Sequence, residues 1–299
     1  MRFLLFIGVA LACRSFAASA PPSDAGLPQE LQLEISRLEA SARRSAVFRQ
    51  LLAETDGLSR RVAGLPPPIF FQYEAPPLDR LVFYPARLKS ATEWEFQVAE
   101  ARELARASMG LPIVVLEAEL AAYQKELAFA LELAYIDPGF SKEWAARARK
   151  AKADADVLRQ LETWARARLP QAKEEPPPRV LAGELDRLAV FAALLAEGPE
   201  RFYAVAERVL PLPAEMVRLA ELEDFLVLHA PEVKALSPKP DEAYVRVGGR
   251  RYPAFVVRAA QTMLPLGGAA RVKEAIGPAD VQARELSIKL RRWLKWPEP

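Results

Sequence analysis

A mainly α fold is what this sequence predicts: a multi-helix bundle with long amphipathic helices and a small C-terminal β-hairpin. Three observations carry that expectation. Apolar residues recur at spacings of three and four through most of the chain, prolines cluster between those stretches, and clear alternation occurs in one place, Ala243 to Arg258. With 51% of its 299 residues apolar, the chain has ample material for a core.

The first element is of a different kind. Met1-Arg2 is followed by an apolar run from Phe3 to Cys13 and then by Ser15-Phe16-Ala17. A charged start, a short hydrophobic stretch and a small-x-small site read as a signal peptide over residues 1–17. Cleavage after Ala20 fits the same rule but leaves Pro21 beside the scissile bond. Lipidation of Cys13 is the less favoured alternative, because Ala10-Leu11-Ala12 matches a lipobox loosely. The expectation is export to the periplasm, cell envelope or exterior, with residues 18–28 as a linker.

The helical region over 29–170 opens with Leu31, Ile35, Leu38 and Ala42 at alternating spacings of four and three, continued after a phase shift by Phe48, Leu51, Thr55, Leu58 and Val62. This predicts one long helix from Gln29 to Ala63 with a coiled-coil-like seam. Pro66-Pro67-Pro68 ends it. Residues 66–89 read as an extended loop whose aromatics, Ile69 beside them, lie across a helical surface: Phe70, Phe71, Tyr73, Phe83 and Tyr84. Ser90-Ala91-Thr92-Glu93 reads as a capping box, with Trp94, Val98, Ala101 and Ala105 on one face of the helix it starts. Residues 112–135 are apolar on nearly all sides and predict a central buried helix. Glu117, Glu119, Lys125, Glu126 and Glu132 argue against a membrane span there. After an Asp137-Pro138-Gly139 turn, a helix over 141–169 places Trp144, Ala148, Ala151, Ala155 and Leu158 along a seam.

Lys173-Glu174-Glu175-Pro176-Pro177-Pro178 marks a linker over 171–178, opening a second helical region over 179–299. Helices are expected at 179–197, 200–209 and 213–229. A β-hairpin over 243–258 turns at Gly248-Gly249, with Arg246, Arg250, Arg251 and Arg258 on its outward side. A short helix follows Gly267-Gly268, and a last one runs from Pro278 to Trp296.

Charge and composition exclude several functions. The chain holds 41 basic and 39 acidic residues, and loss of Arg2 and Arg14 with the leader balances them, which argues against a nucleic-acid partner. The distribution is split: residues 171–242 carry a net −6 and residues 243–299 a net +7. Either the two segments face each other or the basic one meets an anionic surface, and the first is preferred. The lone cysteine, Cys13, lies in the leader, so the exported chain has no disulfide and relies on its core. The absence of asparagine and the abundance of proline fit a thermophilic source, although a GC-rich genome gives the same bias.

Reactive groups are scarce. His229 is the only histidine and is expected to interact with the last carbonyls of its helix. No Gly-x-Ser-x-Gly, no metal-ligand spacing and no phosphate-binding glycine loop is present, so no catalytic, metal or cofactor residue is assigned. Paired carboxylates, Glu221, Glu223 and Asp224 or Glu184 and Asp186, could serve a cell-wall glycoside hydrolase. They are instead expected on solvated helix faces beside Arg187 and Arg218. The sharpest interaction feature is the C-terminal run Lys289, Arg291, Arg292, Trp293, Lys295 and Trp296, taken together with Arg246, Arg250 and Arg251. Such a helix can lie in a membrane interface, or dock through Leu286, Leu290 and Trp293. The expected function is that of an exported, non-enzymatic envelope scaffold or adaptor, whose partner is another envelope protein or itself. The alternative is a module binding anionic membrane or wall polymer.

Overall fold

The computed structural model describes residues 27–63, 71–76, 78–85, 92–112, 114–151, 159, 183–209, 216–239 and 242–295. The leader, the 171–178 linker and Trp296 lie outside the described residues, as do Ile69, Phe70, Ala155 and Leu158.

The architecture is mainly α with a small C-terminal hairpin. The single helix predicted for 29–63 is instead divided into α1 (Gln29–Leu38), a 3-10 turn (Ala42–Arg44) and α2 (Ala46–Glu54), followed by strand β1 (Ser59–Val62). The phase shift in the seam marks the division. Ser45 takes an extended ψ of 137°, and its Oγ accepts the Phe48 N–H at 3.1 Å, capping a new helix. At the far end, Gly57 adopts a φ of +88° and turns the chain into β1. Both halves of the seam are nevertheless buried, at Ile35, Leu38, Ala42, Phe48 and Leu51.

The predicted aromatic loop contains two strands, β2 (Phe71–Glu74) and β3 (Arg80–Phe83). β3 is central, parallel to β1 and antiparallel to β2. The aromatics do cover a helix, since Phe71 and Phe83 lie 5.0 and 6.3 Å from Phe96 of α3 (Glu93–Met109). The capping box of α3 is formed by Thr92 and Glu95, two residues later than Ser90–Glu93. Thr92 Oγ1 accepts the Glu95 N–H at 3.2 Å, and Glu95 accepts the Thr92 N–H at 3.1 Å. Gly110 ends α3 with a φ of +60°.

Helix α4 (Leu116–Ile136) is buried on most sides, as predicted, and packs against α2, α3 and α5 (Pro138–Lys150). α5 starts three residues before Ser141, because Asp137 accepts the N–H groups of Gly139 and Phe140 while Pro138 fills the first helical position. After residue 183 come α6 (Glu184–Glu197), α7 (Pro199–Val209) and α8 (Leu219–Val233). α8 begins later than predicted, since Val217 is held by backbone hydrogen bonds to Val114 and Leu116.

The hairpin consists of β4 (Tyr244–Val247) and β5 (Arg250–Pro253), with positive φ at both Gly248 and Gly249 as a two-residue turn requires. It ends at Pro253, not at Arg258. Proline donates nothing to a ladder and its fixed φ suits a helix entry, so the following residues form α9 (Ala254–Met263), which carries Arg258. The apolar run Ala254–Val257 is compatible with a strand or a buried helix, and burial of Val256 and Val257 against the core decides for the helix. Helices α10 (Gly268–Ile276) and α11 (Ala279–Leu294) complete the chain.

One apolar core runs from Leu27 to Leu294. α6 packs on α3, α4 and α5, and α11 packs on α6, α4 and α5. Trp144 of α5 is fully enclosed, 5.5 Å from Phe140 and 4.3 Å from Trp293 of α11. Among the described residues no helix is long and apolar enough to cross a membrane. Thr92→Ala is expected to lower unfolding stability by about 1 kcal/mol through loss of the cap, whereas Thr92→Asp retains it. Urea unfolding followed by circular dichroism measures the difference.

Candidate functional site

Helix periodicity places charges where an apolar interior is expected. Along α3, Arg102, Glu103 and Arg106 share one side. α4 presents Glu119, Tyr123 and Glu126 at successive turns, and α6 adds Glu184 and Arg187 three residues apart. These side chains meet in the core. All are at most 6% exposed except Arg106, at 13%.

Arg187 forks onto Glu126, with Nη1 2.8 Å from Oε2 and Nη2 on Oε1, and also donates to Glu184 at 2.9 Å. Arg102 donates to Glu184 at 2.8 Å and lies 3.7 Å from Glu126 and 3.3 Å from Glu103. Arg106 holds Glu119, Nε to Oε2 at 2.8 Å, and reaches Glu103 as well. Glu103 also accepts the Tyr73 N–H at 3.0 Å, tying β2 to α3. The Tyr123 ring lies between the cations, 5.1 Å from the Arg187 guanidinium and 6.0 Å from that of Arg102. Burial acts to push Glu119 up, but the charge and hydrogen bonds of Arg106 outweigh it and hold Glu119 below its usual value. Burial likewise acts to lower Arg102, Arg106 and Arg187, and the surrounding glutamates reverse it, keeping all three charged.

This corrects the expectation that Glu184 and Arg187 lie on a solvated face. The available signal was α6 itself: from Glu184 to Ala196 every position but Asp186 is buried, so a helix apolar on all sides carries its charges inward. Asp186 does pair at the edge, with Arg147 of α5. Glu221 and Asp224 are exposed, Glu223 meets Lys273 of α10 at 2.6 Å, and Arg218 meets Glu207 at 2.6 Å.

A second, smaller group was not anticipated. Glu39, just after α1, and Glu100 of α3 are both wholly enclosed. Arg43 pairs with Glu39, while Arg60 of β1 is 3.5 Å from Glu39 and 3.8 Å from Glu100. No donor within hydrogen-bond reach satisfies either Glu100 oxygen. A retained proton resolves this. Burial, then the charge of Glu39 and a hydrogen bond to it, push Glu100 well above the ordinary carboxylate range, against the weaker pull of Arg60 and Arg43. Burial and the neighbouring Glu39 charge thus favour the protonated form of Glu100. Its place on the buried side of α3, four residues after Phe96, was the only sequence signal.

His229 does not bond the last carbonyls of α8. Its ring is buried, its Nε2 lies 2.7 Å from the Tyr252 hydroxyl, and it packs on Phe225 and Tyr252. Gly248 lies so close that a Cβ there would come within 2.7 Å of the imidazole. The histidine therefore fastens the hairpin to α8. Among the described residues no group of three or more histidine, cysteine, aspartate or glutamate side chains is placed to hold a metal ion.

Of the predicted interaction residues, Arg246, Arg250 and Arg251 are exposed on the hairpin, with Arg251 5.1 Å from the Tyr244 ring. Lys289, Arg292 and Lys295 are exposed on and just after α11. Two others face inward. Arg291 donates to the carbonyls of Ala196 and Glu197 at 2.7 and 3.1 Å, capping α6, and Trp293 packs on Trp144 and donates to Ser141 at 3.2 Å. Leu286 and Leu290 are buried beside them. The hairpin packs on α8 and α9, α11 on α4 to α7, so the two basic sets belong to different packing units. No family model, curated protein or solved structure matches the chain.

Two outcomes test this chemistry. Arg187→Leu removes the fork on Glu126 and one of the two arginines on Glu184 and is expected to cost about 3–5 kcal/mol in chemical unfolding, against under about 0.5 kcal/mol for Lys273→Ala at the exposed pair. Glu100 has a raised pKa, so its folded form binds the proton more tightly than the unfolded chain does. The contribution of Glu100 to stability is therefore greatest below the ordinary carboxylate range and falls as pH rises toward the elevated folded value, whereas that of Glu119, held low, is lost as pH falls. Glu100→Gln is expected to flatten that fall, giving a variant more stable than the parent at the alkaline end, read from thermal unfolding across pH.

Proposed function

We propose that this is an exported, non-enzymatic envelope protein acting as a scaffold or adaptor through protein–protein contacts. The observation that carries the reading is how polar and apolar groups divide between inside and outside. The interior charges pair with one another, while large apolar side chains remain outside, among them Val227 and Leu228 on α8, 79% and 63% exposed, and Val281 and Ile288 on α11. Such side chains support recognition of another protein surface. The close-set acids Glu39 and Glu100 are sealed within the core, beyond the reach of a polymer substrate, which supports a structural role over the hydrolase alternative. Export rests on the leader.

A second reading has its own support. Arg284, Lys289, Arg292 and Lys295 are exposed along one end of the molecule with two apolar side chains among them, a composition suited to an anionic surface. Flotation with vesicles containing anionic lipid tests it. Binding that is lost in Arg284→Glu/Lys289→Glu/Arg292→Glu supports the surface module, and absence of flotation leaves the adaptor reading. Arg291 stays unchanged in that variant because it caps α6.

A further inference from the structure

The outward rows of α8 and α11 are complementary in both order and charge. On α8 the outward residues include Glu221, Asp224, Val227, Leu228 and Pro231, with the exposed Glu232 after them. On α11 and its C-cap they include Val281, Arg284, Ile288, Lys289, Arg292 and Lys295, with the acidic Asp280 and Glu285 also exposed. From Leu228 back to Asp224 and Glu221 is four and seven residues, and from Ile288 forward to Arg292 and Lys295 is again four and seven. At about 1.5 Å rise per residue, these steps are about 6 and 10 Å on both helices.

Laid antiparallel, the rows match. Leu228 with Val227 meets Ile288, Asp224 meets Arg292, and Glu221 meets Lys295. Neither helix covers the row of the other within the molecule, since all these residues are exposed. Lys295, with a φ of +56°, closes the last turn, which leaves the carbonyl end of α11 and its cations at the acidic start of α8.

We infer that a second copy of this chain is the occupant of the α8 row, docking its α11 antiparallel so that Leu228, Asp224 and Glu221 face Ile288, Arg292 and Lys295. This rests on the adaptor reading and names its partner. The contact joins two different surfaces, so it builds a closed dimer where a two-fold axis allows both contacts at once, and an open series otherwise. Two exposed helix rows form a modest interface, which sets the expected association in the micromolar range and makes it weaken with salt.

Sedimentation velocity of the full exported chain over a range of concentrations tests the pairing. The parent is expected to associate, and Asp224→Arg or Arg292→Asp alone to weaken association by about tenfold or more through like-charge contact. An equimolar mixture of these two variants is expected to recover a one-to-one complex, because the new arginine at 224 meets the new aspartate at 292. Both substitutions are on the surface, and an unchanged circular dichroism spectrum confirms folding. A monomer at every concentration, or association indifferent to both reversals, overturns the pairing. So does a monomer that instead floats with anionic vesicles. A monomer that retains a different envelope protein also overturns it while sparing the adaptor reading, which keeps the two failures distinguishable.

Discussion

The fork between Arg187 and Glu126 is the constraint around which the rest of the molecule is arranged. Both side chains are fully enclosed, and each has further commitments, Arg187 to Glu184 and Glu126 to Arg102. A charge taken from water into a core is tolerated only when partners stand in place on every side. That requirement fixes the rotation of α3, α4 and α6 about their own axes, because a turn of one helix by a single residue would strand a carboxylate or a guanidinium. Apolar packing alone leaves more freedom, since Leu and Ala faces tolerate small slides. Tyr123 adds a flat surface to which both arginines are attracted.

The periphery follows from that arrangement. Glu103 extends the network to the backbone of β2, so the small sheet is anchored to α3 by a charge-assisted bond as well as by Phe71 and Phe83. At the opposite side α11 is seated by two residues of its basic run, Arg291 on the end of α6 and Trp293 on Trp144. The run is thus divided by helical geometry. Arg291 and Trp293 hold the helix in place, and among the described residues of the run Lys289, Arg292 and Lys295 remain outside.

Much of this was legible in the sequence, and the misses share a cause. The central α4, the cap at Gly110 and the Gly248-Gly249 turn depend on local chemistry, which a chain displays openly. The three-stranded sheet depends on pairing between four-residue strands, one of them parallel, and short strands leave almost no period to detect. The hairpin's return strand was overextended because Ala254–Val257 is apolar without a period, and tertiary burial alone separates the two outcomes. For the site, charge was the misleading cue. Glu184 and Arg187 look like a surface i,i+3 pair until the unbroken apolar composition of α6 is weighed, and Glu100 looks like any helix glutamate until Glu39, far away in sequence, is brought beside it.

The buried network also joins residues far apart along the chain: Arg102 to Glu184 across 82 positions and Arg187 to Glu126 across 61. Without α6, Glu126 lacks the Arg187 fork and Arg102 lacks Glu184, although Arg106 still has Glu103 and Glu119 within α3 and α4. The interior charge network is thus assembled from both halves of the sequence, and neither half alone completes it.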